Sequence, residues 1–169
     1  REGDGVVKQG LEAGGSGFIS LEGCAYMAGH FYFTSKYGGR AKSGYVFEYD
    51  IDREVLWLIF ESPGQHVFSG PDNIIMSPRG SLVLCEDRVS QDTKAQHIAG
   101  LTAEGDFFRF AQINPDLSGI YEGWDLAKTA LHSEWAGATF SADGQWLFVN
   151  IFSPGVTLAI TGPWQDGLI

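Results

Sequence analysis

The sequence predicts an all-β fold: antiparallel four-stranded blades of the β-propeller kind, about three of them, forming a partial propeller in a single domain. Three observations predict it. The segments LEGCAYM-AGHFYFTS, GPDNIIMSPRGSLVLCE and SEWAGATFSADGQWLFVN share one design: a polar entry, a small or apolar strand, a Gly turn, then an aromatic or aliphatic strand. Their turn glycines, Gly29, Gly80 and Gly144, align. Glycine is abundant, at 23 residues, and aromatics reach 14%, a pairing that suits short strands joined by tight reversals. An irregular β-sandwich is the competing arrangement.

The elements follow in order. Residues 1–20 are weakly patterned: Gly14-Gly15-Ser16-Gly17 breaks any regular element, and Phe18-Ile19 is expected to pair onto a sheet. The first blade spans about 21–62. Its strands are read at Cys24–Met27, His30–Ser35, Gly44–Asp50 and Val55–Phe60, with a basic, Gly-rich loop over 36–43. The second blade spans about 70–113. Its inner hairpin is Asn73–Ser77 and Ser81–Glu86, turned by Ser77-Pro78-Arg79-Gly80; Ile98–Ala103 and Phe107–Ile113 complete it. Residues 88–96 are a polar loop. The stretch 114–133 interrupts the pattern, with a short helix expected over 121–131. The third blade spans about 134–169, with strands at Gly137–Ser141, Trp146–Ile151 and Val156–Thr161, and no clear fourth.

The 169 residues carry a formal charge of −10 and no basic stripe, which argues against nucleic acid as a partner. No apolar run is long enough to span a membrane. Cys24 and Cys85 lie far apart, outside any zinc-ligand spacing, and each sits in an apolar run; buried free thiols are expected. The hairpin of the second blade gathers Asp72, Asn73, Glu86 and Asp87 at its open end. Three acids and an amide at one edge call for solvent or a cation. If the blades surround one axis, Glu22 and Glu134 face that same axis. His132, beside Glu134, is a further site candidate. No nucleophile elbow supports Ser–His–Asp catalysis.

LEGCAY at 21–26, ESPGQHVFSGPDNIIMSPRGSLVLCED at 61–87 and SEWAGATFSADGQWLFVNIFSPGVTLAITGPW at 133–164 resemble the C-terminal half of the PhoX-type alkaline phosphatases, a bacterial family of six-bladed propellers. The resemblance implies a phosphatase that hydrolyses phosphomonoesters with calcium and iron at the channel mouth, and by position it implies Glu134, Glu86, Asp72, Asn73 and Glu22 as the candidate metal ligands, with Asp87 and Asn150 behind them. It also implies a periplasmic or secreted location. The family pattern carries an arginine just ahead of the glutamate matched by Glu134; His132 and Ser133 stand there. Arg40 and Lys42 lie on a loop within reach of a substrate. About three blades do not close a ring. The chain is therefore expected to be a fragment of a longer one, or to form a homo-oligomer through open blade edges. The alternative function is a non-catalytic module that binds a cation or small ligand and self-assembles to complete the ring.

Overall fold

The computed structural model describes residues 5–87, 95–114, 116–130 and 132–169. A short helix, α1 (Val6–Glu12), precedes the first sheet. That sheet is an antiparallel meander of β1 (Leu21–Met27), β2 (His30–Ser35), β3 (Tyr45–Asp50) and β4 (Val55–Glu61). The second repeats it with β5 (Pro71–Met76), β6 (Leu82–Glu86), β7 (His97–Leu101) and β8 (Phe107–Gln112). A two-stranded ribbon, β9 (Ile120–Tyr121) and β10 (Trp124–Asp125), runs into the single-turn α2 (Leu126–Thr129). The third sheet is β11 (Trp135–Phe140), β12 (Trp146–Ile151) and β13 (Val156–Thr161), and a 3₁₀ turn at Trp164–Asp166 follows it. All-β, meandering, propeller-like blades are what the repeat predicted.

The sheets stack face to face, and the sequence shows why. Side chains alternate across a strand, so a strand covered on both faces is apolar throughout. Strand β6 is covered on both faces: all five residues are buried, the first four apolar and the last, Glu86, hydrogen-bonded. Leu82 and Leu84 join Ala25, Val46 and Phe68 in a core against the first sheet. Val83 and Cys85 join Trp135, Leu147 and Val149 in a core against the third. Among the described residues no further sheet covers the outer faces of the first and third sheets. Phe31, Leu56 and Leu58 are 40–48% exposed on one, and Trp146 and Phe148 are 41% and 38% exposed on the other.

The inner strands β1, β5 and β11 lie side by side, and each carries a bulge near its entry: between Leu21 and Cys24, between Pro71 and Ile74, and between Ala136 and Thr139. Glycine lets the first two bulges touch. A Cβ at Gly23 would lie 2.4 Å from the Asp72 carbonyl oxygen, 2.8 Å from Ile74 N and 2.9 Å from Asn73 Cα, all of them backbone atoms that cannot swing aside. Gly23→Ala is expected to destabilise the protein by about 1–3 kcal/mol, as overpacking does. Urea denaturation measures it; an unchanged midpoint would contradict the tight contact.

Four expectations need correction. Residues 121–125 form the β9–β10 ribbon rather than a helix, and the helical part is the four-residue α2, since Gly119 and Gly123 turn the chain at positive φ there. Phe18-Ile19 forms no strand; Phe18 instead packs edge-on against Phe33 and Phe47. Residues 6–12, within the weakly patterned stretch, are helical. Cys24 is exposed, because it sits on the uncovered side of the first sheet, whereas Cys85 lies between two sheets and is buried.

Candidate metal centre

The bulge in β5 creates the centre. The ladder pairs Pro71 with Glu86 and next pairs Ile74 with Leu84, so three steps on β5 face two on β6. The extra residue rotates Asp72 and Asn73 out of the regular pleat. Asp72 is then tied down on every side. Its carbonyl accepts from Thr34 Oγ1 at 2.8 Å, and Thr34 Oγ1 accepts in turn from Gly23 N at 2.9 Å. Its Oδ1 accepts from Asn73 Nδ2 at 2.8 Å, and Asn73 Oδ1 accepts from Gly137 N on the bulge of β11. The three inner strands are thus laced together around Asp72.

Two further acids meet it. Asp87 directly follows β6, and its backbone N–H donates to the Gly70 carbonyl at 2.9 Å. Glu134 directly precedes β11, and its carbonyl accepts from Phe152 N at 3.0 Å. The neighbouring Trp135 anchors that strand start through its indole N–H, 2.9 Å from the Gln96 carbonyl. Oxygens of Asp72, Asp87 and Glu134 all lie within 4.8 Å of one another. Two oxygens bound to one calcium ion sit about 2.3–2.6 Å from it, hence no more than about 5 Å apart. The three carboxylates meet that limit.

Lys36 stands among them. It directly follows β2, and its Nζ lies 3.4 Å from Asp72 Oδ2 and pairs with Asp87 Oδ2. Its side chain is 11% exposed, so the ammonium is a largely buried cation held by two carboxylates. A cleft of about 530 Å³ opens beside the cluster, lined by Asp87, Glu134, Trp124, Thr129, His132 and Phe152 among others.

Among the described residues, charge is unbalanced here, with three carboxylates against one ammonium. The Glu134 carboxyl is held above its ordinary range, first by burial and then by repulsion from Asp72, with Lys36 acting in the opposite direction. An acid with a raised folded-state pKa holds its proton more tightly folded than unfolded. Its contribution to stability therefore falls as pH rises from the ordinary glutamate range through the raised value. In chelator-treated protein, wild type should lose stability relative to Glu134→Gln as pH goes from about 4 to about 7. Melting curves across that range test it, and parallel curves would contradict it. Burial pushes the Cys85 thiol up to about 12; the Ala138 backbone opposes this, while the Asp72 and Glu134 charges add to it. Cys85 packs in the core with Val83, Trp135, Leu147 and Val149.

Of the residues that sequence reading singled out, the fold brings Asp72, Asp87 and Glu134 together, with Asn73 as the amide bracing Asp72. It sets Glu86 apart. That carboxylate is fully buried and accepts from Ser69 N at 2.7 Å and from His97 N at 2.9 Å, with His97 Nδ1 2.7 Å away. Glu22 is exposed and borders an apolar groove with Phe18, Phe31 and Phe33. Asn150 bonds to Thr157 Oγ1 and to the Ala136 carbonyl within its own sheet. Sequence reading missed Lys36. The available signal was the repeat itself, because Lys36 and Asp87 stand the same distance after their turn glycines, Gly29 and Gly80.

No curated protein sequence matches the chain. Among solved structures it is similar to a Bacteroides uniformis protein described as a 6-phosphogluconolactonase, with 17% identity and a TM-score of 0.49. That alignment covers 88% of this chain and spans 40% of the other. The family model for alkaline phosphatase PhoX matches residues 8–155, most of the chain. The chain belongs to the PhoX alkaline phosphatase family.

Proposed function

We propose that this chain forms part of a metal-dependent phosphatase that hydrolyses phosphomonoesters, with Asp72, Asp87 and Glu134 holding the metal. The observation that carries this reading is the convergence of three carboxylates, from two successive blades, on one cation-sized space beside an open cleft. The chemistry of the donor set supports the fit. All three donors are hard oxygens, suited to calcium, and a positive charge already sits among them as the Lys36 ammonium. Iron, which the family resemblance also implies, would take the same oxygen donors, since among the described residues the cluster is made of Asp72, Asp87 and Glu134.

A bound divalent ion would polarise a phosphoryl oxygen and lower the pKa of a bound water. The chain's own residues do the rest. Thr34, Asn73 and Gly23 fix Asp72 so that its carboxylate does not reorganise as charge develops. Trp124 and Phe152 wall the cleft on its apolar side. His132, exposed at the same cleft, is placed to exchange a proton with a leaving group. The test is p-nitrophenyl phosphate hydrolysis by the protein with calcium, with iron, and with both. Metal-dependent turnover supports the reading; calcium binding without turnover under all three conditions supports a non-catalytic cation-binding module instead. One observation favours that second reading: Lys36, the basic residue at the cluster, is already engaged by two carboxylates.

A periplasmic or secreted location belongs with the family reading; among the described residues no helix is long and apolar enough to cross a membrane. The apolar outer faces of the first and third sheets support stacking of further blades, supplied by a second copy of the chain. Light scattering of this 169-residue chain is expected to give a mass above the monomer; a strict monomer at high concentration would contradict the association.

A further inference from the structure

We propose that Lys36 is a tethered counter-ion which a divalent cation must displace, so that metal binding is an exchange of an ammonium for an ion. The inference rests on the metal-centre reading above. Lys36 occupies two of the three carboxylates: Nζ lies 3.4 Å from Asp72 Oδ2 and is paired with Asp87 Oδ2. These are the groups that converge with Glu134 to within 4.8 Å. A divalent ion at that point and an ammonium on the same oxygens would repel at short range in a poorly solvated site, because the Lys36, Asp72 and Asp87 side chains are 11%, 14% and 24% exposed. One of the two has to leave.

Lys36 is able to leave. Its charge rides on a flexible, unbranched four-carbon stem, and the ammonium also has the Tyr37 ring 5.9 Å away as a second resting surface. The carboxylates are not able to leave. The Asp72 carbonyl is bonded to Thr34 of β2, the Asp72 carboxylate to Asn73, which in turn accepts from Gly137 of β11, and Asp87 is pinned through its backbone to Gly70. The repeat explains how the pair arises. Successive blades put a lysine and an aspartate at the same station after their turn glycines, so the two face one another near the shared axis. Without metal, the Lys36 ammonium offsets charge on Asp72 and Asp87 through direct pairing. With metal, the same charge is a competitor.

Calorimetric titration of calcium into wild type and Lys36→Met at low ionic strength tests this. The variant is expected to bind calcium about tenfold tighter or more, since the internal competitor is gone. A second measurement uses wild type alone: labelling of Lys36 by an amine-reactive ester, read by mass spectrometry, should rise severalfold when calcium saturates the protein. Equal or weaker calcium binding by the variant overturns the exchange while leaving the metal centre standing. Labelling that stays low at calcium saturation does the same, and it decides the matter if Lys36→Met does not fold. Absence of calcium uptake by both proteins overturns the metal centre and the exchange together.

Discussion

Asp72→Asn and Glu134→Gln are each expected to lower calcium-dependent hydrolysis of a phosphomonoester by at least about a hundredfold, with little loss of stability. The expectation follows from geometry. Each substitution keeps the side-chain volume but removes one of three charges that meet within 4.8 Å, and at position 72 it also removes the pairing of Oδ2 with Lys36. Calcium takes its affinity from the charge count of its ligands, so dropping one of three weakens binding steeply. Asn at 72 retains an oxygen for Asn73 Nδ2, and the backbone bond from Thr34 is untouched. In metal-free protein the Glu134 variant should be at least as stable as wild type near neutral pH, because burial and Asp72 both disfavour that charge. Steady-state kinetics over a calcium range separates a binding loss, rescued by excess ion, from a loss of turnover.

Glu86→Ala is expected to cost about 3–5 kcal/mol in stability, a large share of what holds a small domain together. Glu86 is 0% exposed and serves as acceptor for the Ser69 and His97 backbone N–H groups and the His97 ring. Removing it strands two buried donors and one ring nitrogen in an apolar sheet interior. Glu86→Gln keeps one acceptor oxygen and should cost less. Urea denaturation of the two variants gives the ordering. A loss below about 1 kcal/mol in Glu86→Ala, together with weakened calcium binding, would return Glu86 to the ligand set.

The contrast between Glu86 and Asp87 shows where sequence reading stops. Both stand at the polar exit of the same strand, and the hairpin was legible from its Pro-x-Gly turn and flanking apolar runs. Neighbours on a strand point to opposite sides, so one of the two faces the buried loop and the other faces the axis. Choosing between them needs the register, and the register depends on a bulge at Asp72-Asn73 that no turn signal announces. Glu134 was legible because it opens the most specific repeat. Lys36 was not, since it reads as the first residue of a basic loop and gains its meaning only when Asp87 is brought opposite. Cys24 went astray for another reason: an apolar strand predicts burial only where a second sheet covers it, and the first sheet's outer face is open.

Terbium luminescence tests the central claim most directly. Trp124 shares the cleft with Asp87 and Glu134, so a terbium ion bound by the three carboxylates should emit when tryptophan is excited. The account predicts saturable emission that calcium competes away, and that Asp72→Asn and Glu134→Gln each reduce severely. Emission of unchanged strength and affinity in both variants would place the ion elsewhere and contradict the account.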